Sequence, residues 1–341
     1  MTGLDPAIGV VVIGRNEGER LQRCLRSLGA QATACVYVDS GSADDSVAFA
    51  RSVGAQVVEL EPTLSFTAAR ARNEGAAALR RAGRDVEFVQ FVDGDCEVEA
   101  GWLAKAAAAL RGDPGLAVVF GRRRERSRDA SVWNLLCDLE WDVPPGEALS
   151  CGGDALMRRA AFDAVGGYDP TRIAGEEPEL CLRLRGRGWR IARIDAPMTV
   201  HDAAMTRFGQ WWLRTQRSGY VDAEGCAELG VRYPRWRAVP SAIAWALALP
   251  LAGVVAVVVA VSAGATLLAA AVLAAVGALY ALLWTRVARR AARRWPVVEA
   301  RAYATWIVLG KWPCLHGMAT WAWRRLGGGG RRLIEYKGPA G

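Results

Sequence analysis

The amino-acid sequence predicts an α/β fold: a mostly parallel sheet flanked by helices in a Rossmann-like arrangement, followed by a transmembrane helical hairpin and an interfacial helix. Short β-branched runs alternate with helix-like segments over the first 200 residues, and strands separated by helices of this length need parallel crossover connections. Further along, residues 238–285 contain no charged side chain. We therefore expect a cytosolic domain at 1–237, two transmembrane helices within 238–285, and a basic cytosolic or interfacial tail at 286–341.

The predicted strands and helices of the first domain follow one another in alternation. Ile8–Gly14 is almost entirely apolar, as expected of a strand that is buried on both faces of a sheet. Residues 17–28 then repeat apolar side chains at the spacing of one helix face. Ser42 and Asp45 match a capping box that opens a helix ending near Val53. The remaining strands are predicted at 34–38, 56–60, 86–92 and 116–120, and the remaining helices at 66–82 and 102–110.

The uncharged segment is too long for a single membrane span. A helix of its 48 residues would extend about 72 Å, more than twice the ~30 Å hydrocarbon core of a bilayer. We predict two spans, near 240–261 and 265–285, with a turn at Ser262-Ala263-Gly264. Arginines flank the pair on both sides, so the positive-inside rule predicts that both flanks are cytoplasmic.

A further apolar stretch at 302–323 is interrupted by Lys311, Pro313 and His316. If it spanned the membrane, the arginines that follow it would lie outside, against the positive-inside rule. We predict that this stretch lies in the membrane interface, with its tryptophans at the depth of the headgroups.

The formal net charge of +8 does not indicate a nucleic-acid-binding protein. From Arg286 onward there are 12 Lys/Arg and 2 Asp/Glu, against 31 and 33 before it, so the basic excess lies entirely behind the apolar segment. That distribution is typical of contact with a membrane surface.

The eight cysteines form no C-x-x-C pair, which argues against a zinc site or a disulfide framework and fits the cytosol. With no signal peptide visible, we expect a multi-pass protein of the inner or plasma membrane with a cytoplasmic first domain.

Polar clusters follow three of the predicted strands at the point where each strand ends. They are Arg15-Asn16-Glu17, Asp39-Ser40-Gly41-Ser42 and Asp93-Gly94-Asp95. Ligands bind beyond the carboxyl ends of parallel strands, so these clusters predict one site. The sequence has neither a G-x-G-x-x-G fingerprint nor a G-x-x-x-x-G-K-S/T loop, which argues against NAD chemistry and ordinary ATPase chemistry.

The residue types in these clusters suit a metal and a nucleotide. In Asp93-Gly94-Asp95 the glycine permits a tight turn, so that two carboxylates can face a hard divalent cation. An isolated Asp-Gly turn is common, but this one follows a buried strand. Asp39 ends a strand at a point where a carboxylate can accept hydrogen bonds from a base or ribose. Arg72 lies on the helix at 66–82, where an arginine can bind a phosphate.

Further candidates lie between residues 150 and 201. Asp154 follows Cys151-Gly152-Gly153, and Glu176 and Glu177 open another predicted helix. Adjacent carboxylates at a helix start can also serve only the helix dipole. His201 follows a strand-like run, and its spacing alone leaves open whether it is structural or a metal ligand.

Six motifs in sequence order resemble a family 2 glycosyltransferase of the GT-A fold, over about Ile8 to Arg207. The resemblance is carried by Val-Ile-Gly-Arg15-Asn16-Glu17 with Cys24-Leu25-x-Ser27-Leu28, Val38-Asp39-Ser40-Gly41-Ser42-x-Asp44, Ala-Arg72-Asn73-x-Gly75, Asp93-Gly94-Asp95, Gly166-Gly167-Tyr168-Asp169, and Glu176-Glu177-x-x-Leu180-x-x-Arg183-Leu184. It implies an inverting transfer of a sugar from a nucleotide-diphosphate sugar. The predicted hairpin would hold the site at the membrane surface, so we expect a membrane-associated acceptor, either lipid-linked or a glycan.

The resemblance also implies roles for individual residues. Asp95, with Asp93 nearby, would hold Mn²⁺ or Mg²⁺ against the diphosphate leaving group. His201 aligns with a histidine that coordinates the metal in some relatives. Glu177 would take the proton of the acceptor hydroxyl. The family usually has Glu-Asp where this chain has Glu176-Glu177. A glutamate, one methylene longer than an aspartate, can still act as the base, but the difference leaves open which member of the family this chain resembles most.

The remaining candidates are assigned by the same resemblance. Glu17 and Asp39 would meet the base and ribose, and Arg72 would support the nucleotide. Asp154 and Glu176 would lie on the acceptor side. Trp211 either faces the membrane near the acceptor entrance or is packed in the core. Residues 210–218 do not fit the Q-x-x-R-W motif of processive members, so we expect transfer of a single sugar.

Two other functions are open to the same fold. The first is a non-catalytic membrane partner in a polysaccharide assembly complex, although such a protein would not need Asp93, Asp95 and Glu177 together. The second is a sugar nucleotidyltransferase, which would need a glycine-rich basic loop after the first strand, where this chain has Arg15-Asn16-Glu17.

Overall fold

The computed structural model describes residues 4–327. By their internal contacts these residues form two compact units. The first contains the chain up to residue 130 together with 140–204, and the second contains 131–139 and the residues from 205 onward. All but one of the predicted site residues belong to the first unit, and Trp211 belongs to the second.

A nine-stranded sheet forms the centre of the first unit. Its strands are β1 (Ile8–Gly14), β2 (Cys35–Asp39), β3 (Gln56–Glu59), β4 (Phe88–Asp93), β5 (Cys96–Val98), β6 (Leu116–Glu125), β7 (Gly146–Glu147), β8 (Ala155–Arg158) and β9 (Arg190–His201). They lie in the order β3-β2-β1-β4-β8-β6-β9-β5, with β7 paired to β9. The strands β3, β2, β1 and β4 are parallel to one another, as the alternating pattern predicts.

Four helices form where the sequence predicts them, with ends that differ by a few residues: α1 (Glu19–Ser27), α2 (Ser46–Ser52), α3 (Ala68–Arg81) and α4 (Trp102–Gly112). Further along the chain to residue 204 follow α5 (Val132–Trp141), most of which belongs to the second unit, α6 (Arg159–Ala164) and α7 (Glu176–Gly186). α3 packs very close to β1: a Cβ atom on Gly75 would lie only 2.3 Å from Val11 Cγ1. Strands β1, β2 and β4 bury nearly every side chain, which explains their unbroken apolar sequence.

The sheet is mixed rather than mostly parallel. β8 runs antiparallel to both of its neighbours, β4 and β6, and β5 runs antiparallel to β9. The alternation of strand and helix that predicts parallel pairing therefore stops at β6, because β8 pairs antiparallel with it. Two strands are also longer than predicted: β6 continues past residue 120 to Glu125, and β9 begins at Arg190.

The second unit is helical. Its helices after residue 204 are α8 (Phe208–Leu229), α9 (Ala238–Ile243), α10 (Leu249–Ser262), α11 (Thr266–Ala291), α12 (Val297–Leu309) and α13 (Lys311–Leu326). α9 continues through a π-helical turn into α10, one turn before Pro250, giving one helix over Ala238–Ser262. The stretch 302–323 belongs to α12 and α13, which meet at Gly310, instead of to one helix. Pro313 lies in the first turn of α13, where its missing N–H breaks no helical hydrogen bond.

Helices α8 and α13 touch through their backbones. A Cβ atom on Gly219 would lie 2.1 Å from the carbonyl oxygen of Cys314, and one on Gly317 would lie 1.9 Å from the carbonyl oxygen of Gln216. Such close approach needs small residues at the contact, as in many helix pairs of membrane proteins. The two helices that precede and follow the apolar segment are therefore held side by side.

Within residues 4–327, two helices are long and apolar enough to cross a membrane. They are Ala238–Ser262, with a mean hydropathy of 2.5, and Thr266–Ala291, with a mean hydropathy of 2.3. Within their most apolar windows only 11% and 6% of the residues are buried inside the protein. An apolar surface left this open differs from that of a buried core helix, and the pair matches the predicted hairpin.

Candidate active site

Strand register brings the three predicted polar clusters to one edge of the sheet. Gly14 at the end of β1 pairs with Asp39 of β2, and Ile13 pairs with Asp93 of β4. The Gly94 N–H donates to the carbonyl oxygen of Ile13 at 2.7 Å. A Cβ atom on Gly94 would lie only 3.0 Å from that oxygen, so the turn after β4 favours glycine there.

Asp39 shapes the loop that follows β2. Its carboxylate accepts the N–H groups of Gly41 (2.9 Å) and Ser42 (2.8 Å), the Ser42 hydroxyl, and the Tyr37 hydroxyl at 2.9 Å. The side chain is nearly inaccessible to solvent. Asp39 therefore has a structural role that the sequence did not reveal, and its contact with a base or ribose stays a prediction.

The loop after β1 is tied to this turn. Asn16 has a positive φ of 54°, its N–H donates to the Ser42 hydroxyl at 2.9 Å, and its side-chain oxygen accepts the Ala43 N–H at 2.7 Å. Glu17 forms an ion pair with Arg20 at 2.8 Å. The first two polar clusters thus form a single connected rim.

Arg72 joins two acidic side chains of the site. Its guanidinium donates to Asp93 Oδ1 at 2.7 Å and to Glu176 Oε1 at 2.8 Å, and it lies over the Tyr168 ring, 5.5 Å from the ring centroid. Arg72 is buried, which by itself opposes its charge, but Asp93, Tyr168 and Glu176 outweigh burial and raise its pKa above the ordinary value. The arginine therefore stays charged and holds Asp93 and Glu176 in fixed positions.

Asp95 faces a different partner from Asp93. Its Oδ2 lies 3.3 Å from Nε2 of His201, and Nδ1 of the same ring lies 3.4 Å from Oε2 of Glu125. Glu125 is fully buried, and its carboxylate also accepts the Ala203 N–H at 3.0 Å. The Trp141 ring meets the imidazole edge-on, with 4.7 Å between ring centroids. His201 is thus oriented from two sides.

The donor set of Asp95 and His201 suits a divalent metal ion. The carboxylate oxygen and the imidazole nitrogen are close enough to bind one cation, and a buried carboxylate on the second ring nitrogen is the usual support of a metal-binding histidine. Cys96 completes a group whose ligand atoms lie within 4.8 Å of one another. Asp93 points instead at Arg72, so the structure brings two of the three predicted metal ligands together and directs the third elsewhere.

Asp154 is fully buried beside Asp93. Its Oδ1 accepts the Asp93 N–H at 3.0 Å, and its Oδ2 accepts the Thr199 hydroxyl at 2.8 Å and pairs with Arg123 at 2.8 Å. This carboxylate fixes the main chain at the start of the Asp93-Gly94-Asp95 turn. Its predicted contact with an acceptor stays a prediction.

Glu177 lies in the first turn of α7 and is nearly buried. Its Oε1 accepts the Cys151 N–H and the thiol of Cys181, the latter at 3.1 Å. Glu176, its neighbour, turns toward Arg72. The two adjacent glutamates therefore have different surroundings, and only Glu176 belongs to the ion-pair network of Asp93.

Trp211 lies on α8 in the second unit. Its ring packs edge-on against Trp306, with 4.7 Å between centroids, and lies beside Phe208. Of the two alternatives for this residue, the structure has it packed among aromatic side chains and almost fully buried.

Sequence reasoning missed Glu125, Arg123 and Trp141. Glu125 and Arg123 lie on the part of β6 beyond its predicted end, where three arginines in a row conceal the strand. Trp141 contacts both the His201 ring and, at 5.3 Å, the Arg123 guanidinium. The one available signal was the run from Arg122 to Arg126, which contains neither glycine nor proline.

Known proteins resemble this chain in sequence and in fold. The sequence model described as Glycosyl transferase family 2 matches residues 9–166. The pre-mycofactocin glycosyltransferase of Mycobacterium tuberculosis is 30% identical over 244 residues, which are 67% of this chain and 48% of that protein, so the chain spans about half the length of this relative. An uncharacterized glycosyltransferase of Mycobacterium bovis is 32% identical over 195 residues, which are 55% of this chain and 84% of that protein.

Among solved structures, a mannosyltransferase from Pyrobaculum calidifontis in complex with GDP-Man and Mn²⁺ has the same fold. The TM-score is 0.62 at 21% sequence identity, and the match covers 95% of this chain and 90% of that one. The fold, the sequence match and the order of the strand-end motifs agree with one another. This chain belongs to glycosyl transferase family 2.

Proposed function

We propose that this protein transfers one sugar, with inversion, from a nucleotide-diphosphate sugar to a membrane-associated acceptor, lipid-linked or a glycan. The observation that carries the proposal is the pair of Asp95 and His201, 3.3 Å apart beyond the end of β4, with Glu125 on the other ring nitrogen. This donor set fits Mn²⁺ or Mg²⁺. When bound there, the cation would supply positive charge to the diphosphate leaving group.

The nucleotide is proposed to bind along the rim formed by the loops after β1 and β2. Asn16 and Ser42 already connect these loops, so the rim is formed without a ligand. Glu17 and Asp39 are proposed to border the base and ribose, and Arg72 the diphosphate. The Pyrobaculum mannosyltransferase, which has this fold, holds a nucleotide-sugar and Mn²⁺, which supports the same class of donor here.

Glu177 is proposed as the general base. The acceptor hydroxyl attacks the anomeric carbon, its proton passes to the Glu177 carboxylate, and the bond from the anomeric carbon to the diphosphate oxygen breaks. Hydrogen bonds from Cys151 and Cys181 to Oε1 hold that carboxylate in one orientation. Asp154 enters as a positioning residue, because it fixes the main chain of Asp93 from a fully buried position.

The two apolar helices are proposed to anchor the protein in a membrane as a hairpin. Helices α8 and α13 flank the hairpin and touch through Gly219 and Gly317, so both flanks must lie on the same side. The arginines of both flanks favour the cytoplasmic side. A membrane-associated acceptor follows from this anchoring.

Nucleotide binding tests the donor site directly. The detergent-purified protein would be titrated calorimetrically with UDP, GDP, dTDP, CDP and ADP, with and without Mn²⁺. We expect Mn²⁺-dependent binding of one diphosphate, lost in Asp95→Asn and kept in Asp129→Asn, an identical change at a side chain that is 95% exposed. Failure of all five diphosphates to bind would favour a non-catalytic partner instead.

The base is tested with two isosteric variants of the adjacent glutamates. Release of diphosphate from the donor, with water as the acceptor, gives a readout that does not require the acceptor to be known. Glu177→Gln should keep diphosphate affinity and lower the rate about 100- to 10,000-fold, the usual contribution of a general base. Glu176→Gln should mainly weaken diphosphate binding, because it removes the negative charge that pairs with Arg72. Full turnover in Glu177→Gln would contradict the assignment.

A further inference from the structure

A second group of possible metal ligands surrounds the carboxylate of Glu177. Cys151 and Cys181 are 30 residues apart in sequence, but their Sγ atoms lie 3.7 Å apart, and Cys181 Sγ lies 3.1 Å from Glu177 Oε1. The three ligand atoms all lie within 4.8 Å of one another, and all three residues are buried. The sequence contains no C-x-x-C pair and therefore gave no indication that these two cysteines lie next to each other.

The spacing of these atoms matches a tetrahedral zinc site. With Zn–S bonds of about 2.3 Å and tetrahedral angles, two thiolates are about 3.8 Å apart, and a thiolate and a carboxylate oxygen at ~2.0 Å from the metal are about 3.5 Å apart. The distances in this cluster are 3.7 Å and 3.1 Å. Only small side-chain movements would bring all three atoms to bonding distance of one ion.

The charges around the cluster also suit a borderline-soft cation. Two thiolates and one carboxylate around Zn²⁺ leave a net charge of −1, and the Arg72 guanidinium is close enough to act on Cys151. The thiolate is the form of cysteine that binds a metal, so zinc binding would release two thiol protons to solvent. Sulfur ligands select zinc over Mn²⁺ and Mg²⁺.

We propose that Cys151, Glu177 and Cys181 form a zinc-binding site, separate from the Asp95–His201 pair, in which the metal takes up the Glu177 carboxylate. Three protein ligands leave the fourth position open to water, as in catalytic zinc sites. Zinc in this position would prevent Glu177 from accepting a proton. That consequence rests on the proposed base role of Glu177, whereas the binding itself does not.

Cobalt(II) substitution reports the ligands without any assay of turnover. The full chain in detergent, under reducing conditions, should take up Co²⁺ with a thiolate-to-metal charge-transfer band and the intense visible bands of a tetrahedral site. Both features should be lost in Cys151→Ser and in Cys181→Ser, and kept in Cys96→Ser and Asp95→Asn, which alter the other candidate metal group. Bands that survive in both of the first two variants would overturn the proposal.

X-ray absorption at the zinc edge can be measured on the unmutated chain, so its result does not depend on whether the cysteine variants fold. The expected first shell contains two sulfur atoms at about 2.3 Å and oxygen or nitrogen at about 2.0 Å. A shell of nitrogen and oxygen alone would overturn the proposal. If the protein also releases diphosphate, zinc should inhibit this release in a manner that excess Mn²⁺ does not relieve. Inhibition fully relieved by Mn²⁺ would show zinc acting only at Asp95 and His201, against the proposal.

Discussion

Glu125→Gln removes the negative charge that faces His201 while keeping the shape of the side chain. In the structure, Glu125 Oε2 lies 3.4 Å from Nδ1 of His201 and accepts the Ala203 N–H at 3.0 Å. A glutamine oxygen can still accept that N–H, so the fold should persist. The substitution removes the negative charge that favours a proton on Nδ1. With the proton on Nδ1, Nε2, which lies 3.3 Å from Asp95, is free to bind a metal.

The size of the effect follows from the position of Glu125. Carboxylates that orient a metal-binding histidine typically contribute 10- to 100-fold to metal affinity, or about 1.4 to 2.7 kcal/mol. Glu125 is completely buried, so solvent does not screen its charge. We therefore expect Mn²⁺ affinity to fall by about that factor in Glu125→Gln.

Electron paramagnetic resonance of free Mn²⁺ measures this affinity without nucleotide or turnover. Glu147→Gln is the matched control, because it is the same substitution at a side chain that is 69% exposed. Circular dichroism should establish that both variants are folded. An unchanged Mn²⁺ affinity in folded Glu125→Gln would refute the role of Glu125, and an equal loss in the control would mean that net charge alone matters.

Three further predictions concern stability and the metal. Asp154→Ala removes the buried carboxylate 2.8 Å from Arg123, leaves only Asp93 at 3.8 Å, and should lower the free energy of unfolding by about 3–5 kcal/mol, measured by chemical denaturation; a loss below 1 kcal/mol would contradict the buried ion pair. Gly75→Ala places a methyl group 2.3 Å from Val11 and should cost about 1–3 kcal/mol, whereas Gly112→Ala, with open space around it, should cost little. Chelation with EDTA should abolish diphosphate binding but leave the circular dichroism spectrum unchanged, because the candidate ligands are held by protein contacts.

The parts of the site that lie at the ends of β1, β2 and β4 could be predicted from sequence. Each strand is a short apolar run followed by polar residues, and parallel pairing in register brings Asp39 and Asp93 to the same edge. Local pattern and one general rule of α/β sheets were sufficient there. The same holds for the apolar hairpin, where length and lack of charge decide the structure.

The support of His201 could not be predicted in this way. Glu125 and His201 are paired by the parallel register of β6 and β9, across 76 residues of sequence. Both strands carry charged residues where a buried strand is expected to be apolar, so periodicity ends β6 too early and begins β9 too late. The length of each strand is decided by its pairing with a distant strand. The antiparallel pairing of β8 with β4 and β6 is likewise a long-range contact, so the sequence pattern did not predict a mixed sheet.

The contact between α8 and α13 has a practical consequence for anyone who wishes to express a water-soluble form. Truncation before the apolar helices would remove α13 and leave the Gly219 surface of α8 without its cover. An internal deletion is the better design: residues 249–291 replaced by a short hydrophilic linker, with α9, α12 and α13 retained, because Ala242 of α9 packs in one cluster with Ala223 and Met318. Because the two helices touch backbone to backbone, the ends to be joined already belong to one folded body, and the linker needs only to span the gap between them.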